Sequence, residues 1–107
     1  MFMLLVASSE SRATQETVIG LATASLDRGH DVSVFFNERS VRLLKVGKKD
    51  EEYKGLVERG ARLLACRTSA RGLGLKSLED LVEGAEMSSL AELVDMMGDS
   101  DRVLFVG

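Results

Sequence analysis

The sequence predicts one small α/β domain built on a mainly parallel sheet, and three observations carry that prediction. Short apolar runs without strict alternation recur along the chain, the mark of strands covered on both faces. Between them lie segments of helical periodicity, which supply the crossover connections that parallel strands require. The 107 residues, 45% hydrophobic and 29% charged, suit a single core and are too few for two.

Residues 2–7 (FMLLVA), bounded by Ser8, Ser9, Glu10 and Ser11, form the first expected strand. Residues 14–28 bring Val18, Leu21, Ala22 and Leu26 to helical spacing, and Gly29 supplies the left-handed residue that closes many helices. Val32, Val34, Phe35 and Phe36 make residues 31–36 the second strand, which stops at Asn37, a residue type that caps helices. Two weaker helical pieces follow at 40–46 and 51–59, the second with Tyr53, Leu56 and Val57 on one face, and Lys48, Lys49 and Asp50 make the turn between them. Residues 62–66 form a third strand with Cys66 at its C-terminal tip, ended by the small, polar segment 67–74.

Ser77 opens a capping-box pattern (SLED) ahead of Leu78, Leu81 and Val82, and Ser89 opens another (SLAE) ahead of Leu90, Leu93, Val94 and Met97. Both predict helices, with a very short fourth strand at 85–87 between them. Residues 98–101 read as a turn and 102–106 as the last strand. The pattern leaves the strand order open.

Several classes of function are disfavoured on composition. The longest apolar run, 1–7, is far too short to cross a bilayer and lacks the basic leader and cleavage site of a signal peptide, so a cytoplasmic protein without a membrane partner is expected. A net charge of −3, from 17 acidic and 14 basic side chains, is not the footprint of a nucleic-acid binder. One Cys and one His cannot make a disulfide or a zinc site, and His30 reads as a turn residue entering the second strand. Gly72 and Gly74 lack the third spaced glycine of a dinucleotide loop, so no cofactor is expected. The acidic cluster and phosphate-accepting Asp of a receiver domain are also missing.

In open α/β sheets, ligands gather beyond the C-terminal ends of the strands, which singles out the loops 8–12, 36–40 and 66–74. A thiol at a strand tip, flanked by Arg67 and Arg71, would have its thiolate favoured, and a thiolate is both a nucleophile and a sulfur acceptor. The plainer reading is that Cys66 fills a gap in the core, as cysteine often does. Ser8, Ser9 and Ser11 could present hydroxyls to a ligand, but without loop glycines their first role is helix capping. Arg39, Arg42, Lys45, Lys48 and Lys49 form a basic stretch that reads as a solvated face or, more sharply, as a docking patch for an acidic partner protein or tRNA.

The run Cys66-Arg67-Thr68-Ser69-Ala70-Arg71-Gly72 follows an apolar strand, some 30 residues beyond Gly29-His30-Asp31-Val32. Together with Leu81-Val82-Glu83-Gly84-Ala85, Leu93-Val94 and Asp101-Arg102-Val103, it resembles the DsrE/DsrF-like family over nearly the whole chain. The resemblance implies a three-layer α/β/α, flavodoxin-like fold with a mainly parallel sheet of about five strands. It also implies homo-oligomers, trimers or hexamers, and, as in the sulfur-relay members, a persulfide carried on Cys66 and exchanged with sulfur donor and acceptor proteins.

On that reading Cys66 is the catalytic residue, and Arg67, Ser69, Arg71, Ser8, Ser9 and Asn37 contact substrate or partner. The alternative is a non-catalytic oligomeric module that binds a small ligand or a partner at the strand tips, with Cys66 merely packed. Assembly is expected on either view, because a small sheet has open edges to protect.

Overall fold

The computed structural model describes residues 1–47 and 49–107, so Lys48, and with it part of the expected turn and basic stretch, lies outside the described residues. Five strands form: β1 (Phe2–Ala7), β2 (Asp31–Phe36), β3 (Arg62–Cys66), β4 (Glu86–Ser88) and β5 (Arg102–Val106). They pair parallel throughout in the order β4-β3-β2-β1-β5. Four α-helices connect or flank them: α1 (Arg12–Asp27), α2 (Asp50–Glu58), α3 (Arg67–Gly72) and α4 (Leu90–Asp99).

Helix α1 starts where Ser11 Oγ accepts the Thr14 N–H, and the chain leaves it through Gly29, whose φ of 80° suits a residue without a Cβ. Val18 and Ala22 of α1 and Tyr53 and Leu56 of α2 pack with Leu5, Ala7, Val34, Phe36, Leu63 and Ala65 in the larger core layer. Phe36 meets Tyr53 edge to face with ring centres 6.1 Å apart, and the Tyr53 hydroxyl donates to Gln15 Oε1 at 3.1 Å. Burial, with Glu52 beside it, pushes the Tyr53 phenol well above its ordinary value.

The opposite face is covered by α4 alone. Strand register sets which side chains point there: Leu4 lies beside Ser33 and Val103, Val6 beside Phe35 and Phe105, Phe35 beside Leu64, and Cys66 beside Ser88. Leu4, Val6, Phe35, Leu64 and Cys66 form the second core layer, with Leu93 and Met96 of α4 and Val103 of β5 against it. This is the three-layer α/β/α architecture with unequal outer layers.

Three expectations are corrected. Residues 67–72 form helix α3 rather than the start of a loop. The Ser77 pattern opens only a 3-10 turn, Leu78–Asp80, not a longer helix. The reason is tertiary: Val82 N–H donates to Leu44 O at 2.8 Å and Val46 N–H to Asp80 O at 3.2 Å, so this stretch is extended against residues 44–46, with Leu81 and Val82 buried as anchors. The 40–46 helical piece is a 3-10 helix, Glu38–Leu44. Among the described residues, no helix is long and apolar enough to cross a membrane.

At the β4 edge, Arg62 grips Glu86 through Nη2–Oε1 at 2.8 Å and Nε–Oε2 at 3.1 Å. The guanidinium holds the Glu86 carboxyl below its ordinary value. A depressed carboxyl favours folding above its unfolded pKa, about 4.3, and loses that contribution as pH falls through the folded value. Because both side chains are half exposed, the coupling is a few tenths of a kcal/mol. A double-mutant cycle with Arg62→Ala and Glu86→Ala should show it at pH 7 and lose it at pH 3.

Candidate functional site

The C-terminal ends of the strands open onto a cavity of about 520 Å³. It is lined by Ser8 and Ser9 after β1, Glu38 and Arg39 after β2, Ser69, Gly72 and Leu73 in and after α3, and Gly107 after β5. The strand-tip loops are tied to one another by hydrogen bonds. Ser40 N–H donates to Ser8 O at 3.1 Å, the buried Ser40 hydroxyl donates to Ala7 O at 2.8 Å, and Ser9 N–H donates to Gly107 O at 2.9 Å.

Glu38 is the sole non-glycine residue with positive φ among the described residues, at 48°. That conformation costs an ordinary L-residue about 1 kcal/mol and persists where its surroundings hold it. Here Glu38 N–H donates to Ser69 Oγ at 2.9 Å, and Ser69 Oγ donates to Asn37 Oδ1 at 3.2 Å. The backbone after β2 is thus latched to α3, and Asn37 serves this latch rather than lining the cavity. Arg39 pairs with Glu10 at 3.3 Å and Arg42 with the same carboxylate at 3.4 Å, so this part of the basic stretch is internally balanced.

Of the predicted site residues, Ser8, Ser9 and Ser69 meet in the cavity wall. Cys66 does not join them. It stands at the tip of β3 and caps α3, as expected, but it is 2% exposed and packs with Leu4, Val6, Phe35 and Leu64 under α4. The expected solvent-reachable thiol is therefore corrected: the pleat turns Cys66 toward the apolar layer while the loop beyond it faces the cavity. Its polar neighbour across the strands is Ser88, whose hydroxyl donates to Glu92 Oε1 at 2.6 Å. Arg67 and Arg71 are exposed on α3, outside both the apolar layer and the cavity wall. Among the described residues, no group of three or more His, Cys, Asp or Glu side chains is arranged to hold a metal.

Sequence reasoning found the loops but missed Glu38, Gly72, Leu73 and Gly107 as cavity residues and took Arg39 only as part of a charge run. Gly107 had no motif to announce it, and the left-handed backbone at Glu38 has no signature in a glutamate.

The family model of the DsrE/DsrF-like proteins matches residues 1–106. The chain belongs to the DsrE/DsrF-like family. An uncharacterized protein of Methanopyrus kandleri is 32% identical over 113 residues, covering 96% of this chain and 93% of its own. Another from Methanocaldococcus jannaschii is 28% identical, with 82% of each chain covered.

Among solved structures, a protein of unknown function from Methanobacterium thermoautotrophicum superposes with a TM-score of 0.87 at 16% identity, covering 97% of both chains. The ychN protein of E. coli superposes with a TM-score of 0.77 at 22% identity, covering 98% of this chain and 99% of its own. These likenesses show the DsrE/DsrF-like fold.

Proposed function

We propose that this DsrE/DsrF-like domain is a binding module whose small polar ligand occupies the strand-tip cavity, and that Cys66 contributes packing rather than chemistry. The observation that carries this reading is the separation of the two features. The cavity wall contains Ser8, Ser9, Glu38, Arg39 and Ser69 but not Cys66, whose side chain is buried in the layer under α4. At about 520 Å³ the cavity has the size of a small-molecule site and lies where open α/β sheets bind ligands. Hydroxyls, a guanidinium and a carboxylate together suit a ligand that both donates and accepts hydrogen bonds.

The test is a titration of ¹⁵N-labelled protein with a library of small polar compounds. Binders should shift the amides of Ser8, Ser9, Glu38, Ser69 and Gly107 together, and should do so equally in Cys66→Ala. Binders that shift a different set of amides, or that lose binding in Cys66→Ala, would contradict the proposal.

The sulfur-relay reading has a specific observation in its favour, the placement of Cys66 at the β3 tip and α3 cap, next to Arg67. In that reaction the Cys66 thiolate attacks the outer sulfur of a donor protein's persulfide, the donor thiolate leaves, and an acceptor thiol later takes the sulfur. It requires the thiol to leave the cover of α4 first. A mass gain of one sulfur at Cys66 on exposure to a persulfide donor would establish it in place of the binding module.

A further inference from the structure

Glu38 is the cavity residue whose side chain the fold does not explain. Its left-handed backbone, with φ at 48°, is held by the bond from its N–H to Ser69 Oγ at 2.9 Å. Any residue except proline offers that N–H, so the glutamate side chain has no part in the latch. Glycine would take the same conformation without steric penalty. A carboxylate opening a helix gains from the dipole, but at the start of the seven-residue 3-10 helix Glu38–Leu44 that gain does not exceed the backbone penalty. Residues are kept in such conformations where the side chain serves a site.

The groups around the cavity indicate what the carboxylate serves. Glu38 is exposed in the cavity wall, and among the described residues no cation lies within ion-pair distance of it. Arg39 lines the same cavity and gives one nitrogen, Nη1, to Glu10 at 3.3 Å, which leaves its remaining N–H groups for a ligand. Ser9 Oγ is taken up by Thr14 Oγ1 at 2.6 Å, whereas the Ser8 hydroxyl has no protein partner among the described residues. Leu73 adds an apolar side. An amine alone would face Arg39, and an acid alone would face Glu38. One molecule that carries both groups meets each with opposite charge.

We propose that the strand-tip cavity takes a small zwitterion of the free amino acid type. Its ammonium group sits on the Glu38 carboxylate, its own carboxylate on Arg39 and the Ser8 hydroxyl, and its side chain lies toward Leu73. The inference rests on the cavity being a ligand site, and it makes Glu38 the residue that selects the ammonium group. The backbone penalty at Glu38 is then the stability given up for that selection.

The experiment is a titration of ¹⁵N-labelled protein with free L-amino acids, each beside the amine that lacks its carboxylate and the acid that lacks its ammonium group; for leucine these are isopentylamine and isocaproate. At least one amino acid should shift the amides of Ser8, Glu38, Arg39 and Ser69 together, with both of its partial analogues bound about tenfold more weakly or worse. Glu38→Gln keeps the latch and the shape of the side chain, and should weaken the amino acid about tenfold or more without weakening the acid analogue. Glu38→Gly should lose the same selectivity while its Tm rises by about 4 °C, because the left-handed position no longer carries a Cβ. An amine or acid bound as tightly as the zwitterion, an amino acid indifferent to Glu38→Gln, or a Glu38→Gly that melts lower than the wild type would overturn the inference. If the binders that shift these amides all lack an ammonium group, the inference falls and the binding module stands. If no compound shifts these amides, both fall.

Discussion

Cys66→Asp is expected to lower the stability of the domain by about 3–5 kcal/mol, enough to leave it largely unfolded if its total stability lies at the low end for a chain of this length. The aspartate would sit among Leu4, Val6, Phe35 and Leu64, in a layer that Leu93, Met96 and Val103 close over. A carboxylate in that layer must either stay charged without a partner or take up a proton, and both oppose folding at neutral pH. Cys66→Ala removes only a small, soft side chain and should cost about 1 kcal/mol, or 4–8 °C in Tm. Urea denaturation of the two variants measures the difference. A cysteine standing free at a strand tip would tolerate both substitutions equally, and equal midpoints would show that the packing account is wrong.

Phe35→Ala is the second large effect, a loss of about 3–5 kcal/mol. Phe35 is fully buried in the middle strand and is the largest side chain in the layer beneath α4. That layer is thin, held by Leu93 and Met96 from a single helix, so little can collapse into the space the ring leaves. The same substitution removes a wall of the Cys66 pocket. The rate at which a thiol reagent labels Cys66 in native conditions should therefore rise by two orders of magnitude or more, in step with the lost stability. A labelling rate that stays unchanged while stability falls would mean that the thiol is reached by a route other than opening of this layer.

Much of this fold was legible because the strands are continuous apolar runs: β1, β2, β3 and β5 appear where FMLLVA, DVSVFF, RLLAC and RVLFV place them, and β4 forms one residue later than expected. The Ser89 capping pattern delivered α4 as well, since Ser89 Oγ accepts the Glu92 N–H at 3.1 Å. The Ser77 pattern did not deliver a helix, because burial of Leu81 and Val82 against residues 44–46 outweighs a local cap. The position of Cys66 along β3 was legible, but the face it takes was not. In a strand covered on both sides, Leu63, Leu64, Ala65 and Cys66 are all apolar, and no alternation tells which pair meets α4. The cavity was legible as three loops, yet its wall depends on the backbone turn at Glu38, which glycine or asparagine would have announced and glutamate does not.

The central claim is that the Cys66 thiol is closed off by side chains under α4, and its reaction with a chromogenic disulfide reagent addresses this directly. The account predicts that native protein reacts at least a hundredfold more slowly than urea-unfolded protein, with a rate that climbs with urea as the domain opens. Stoichiometric reaction of the native protein on the timescale of the unfolded control, insensitive to low urea, would contradict it.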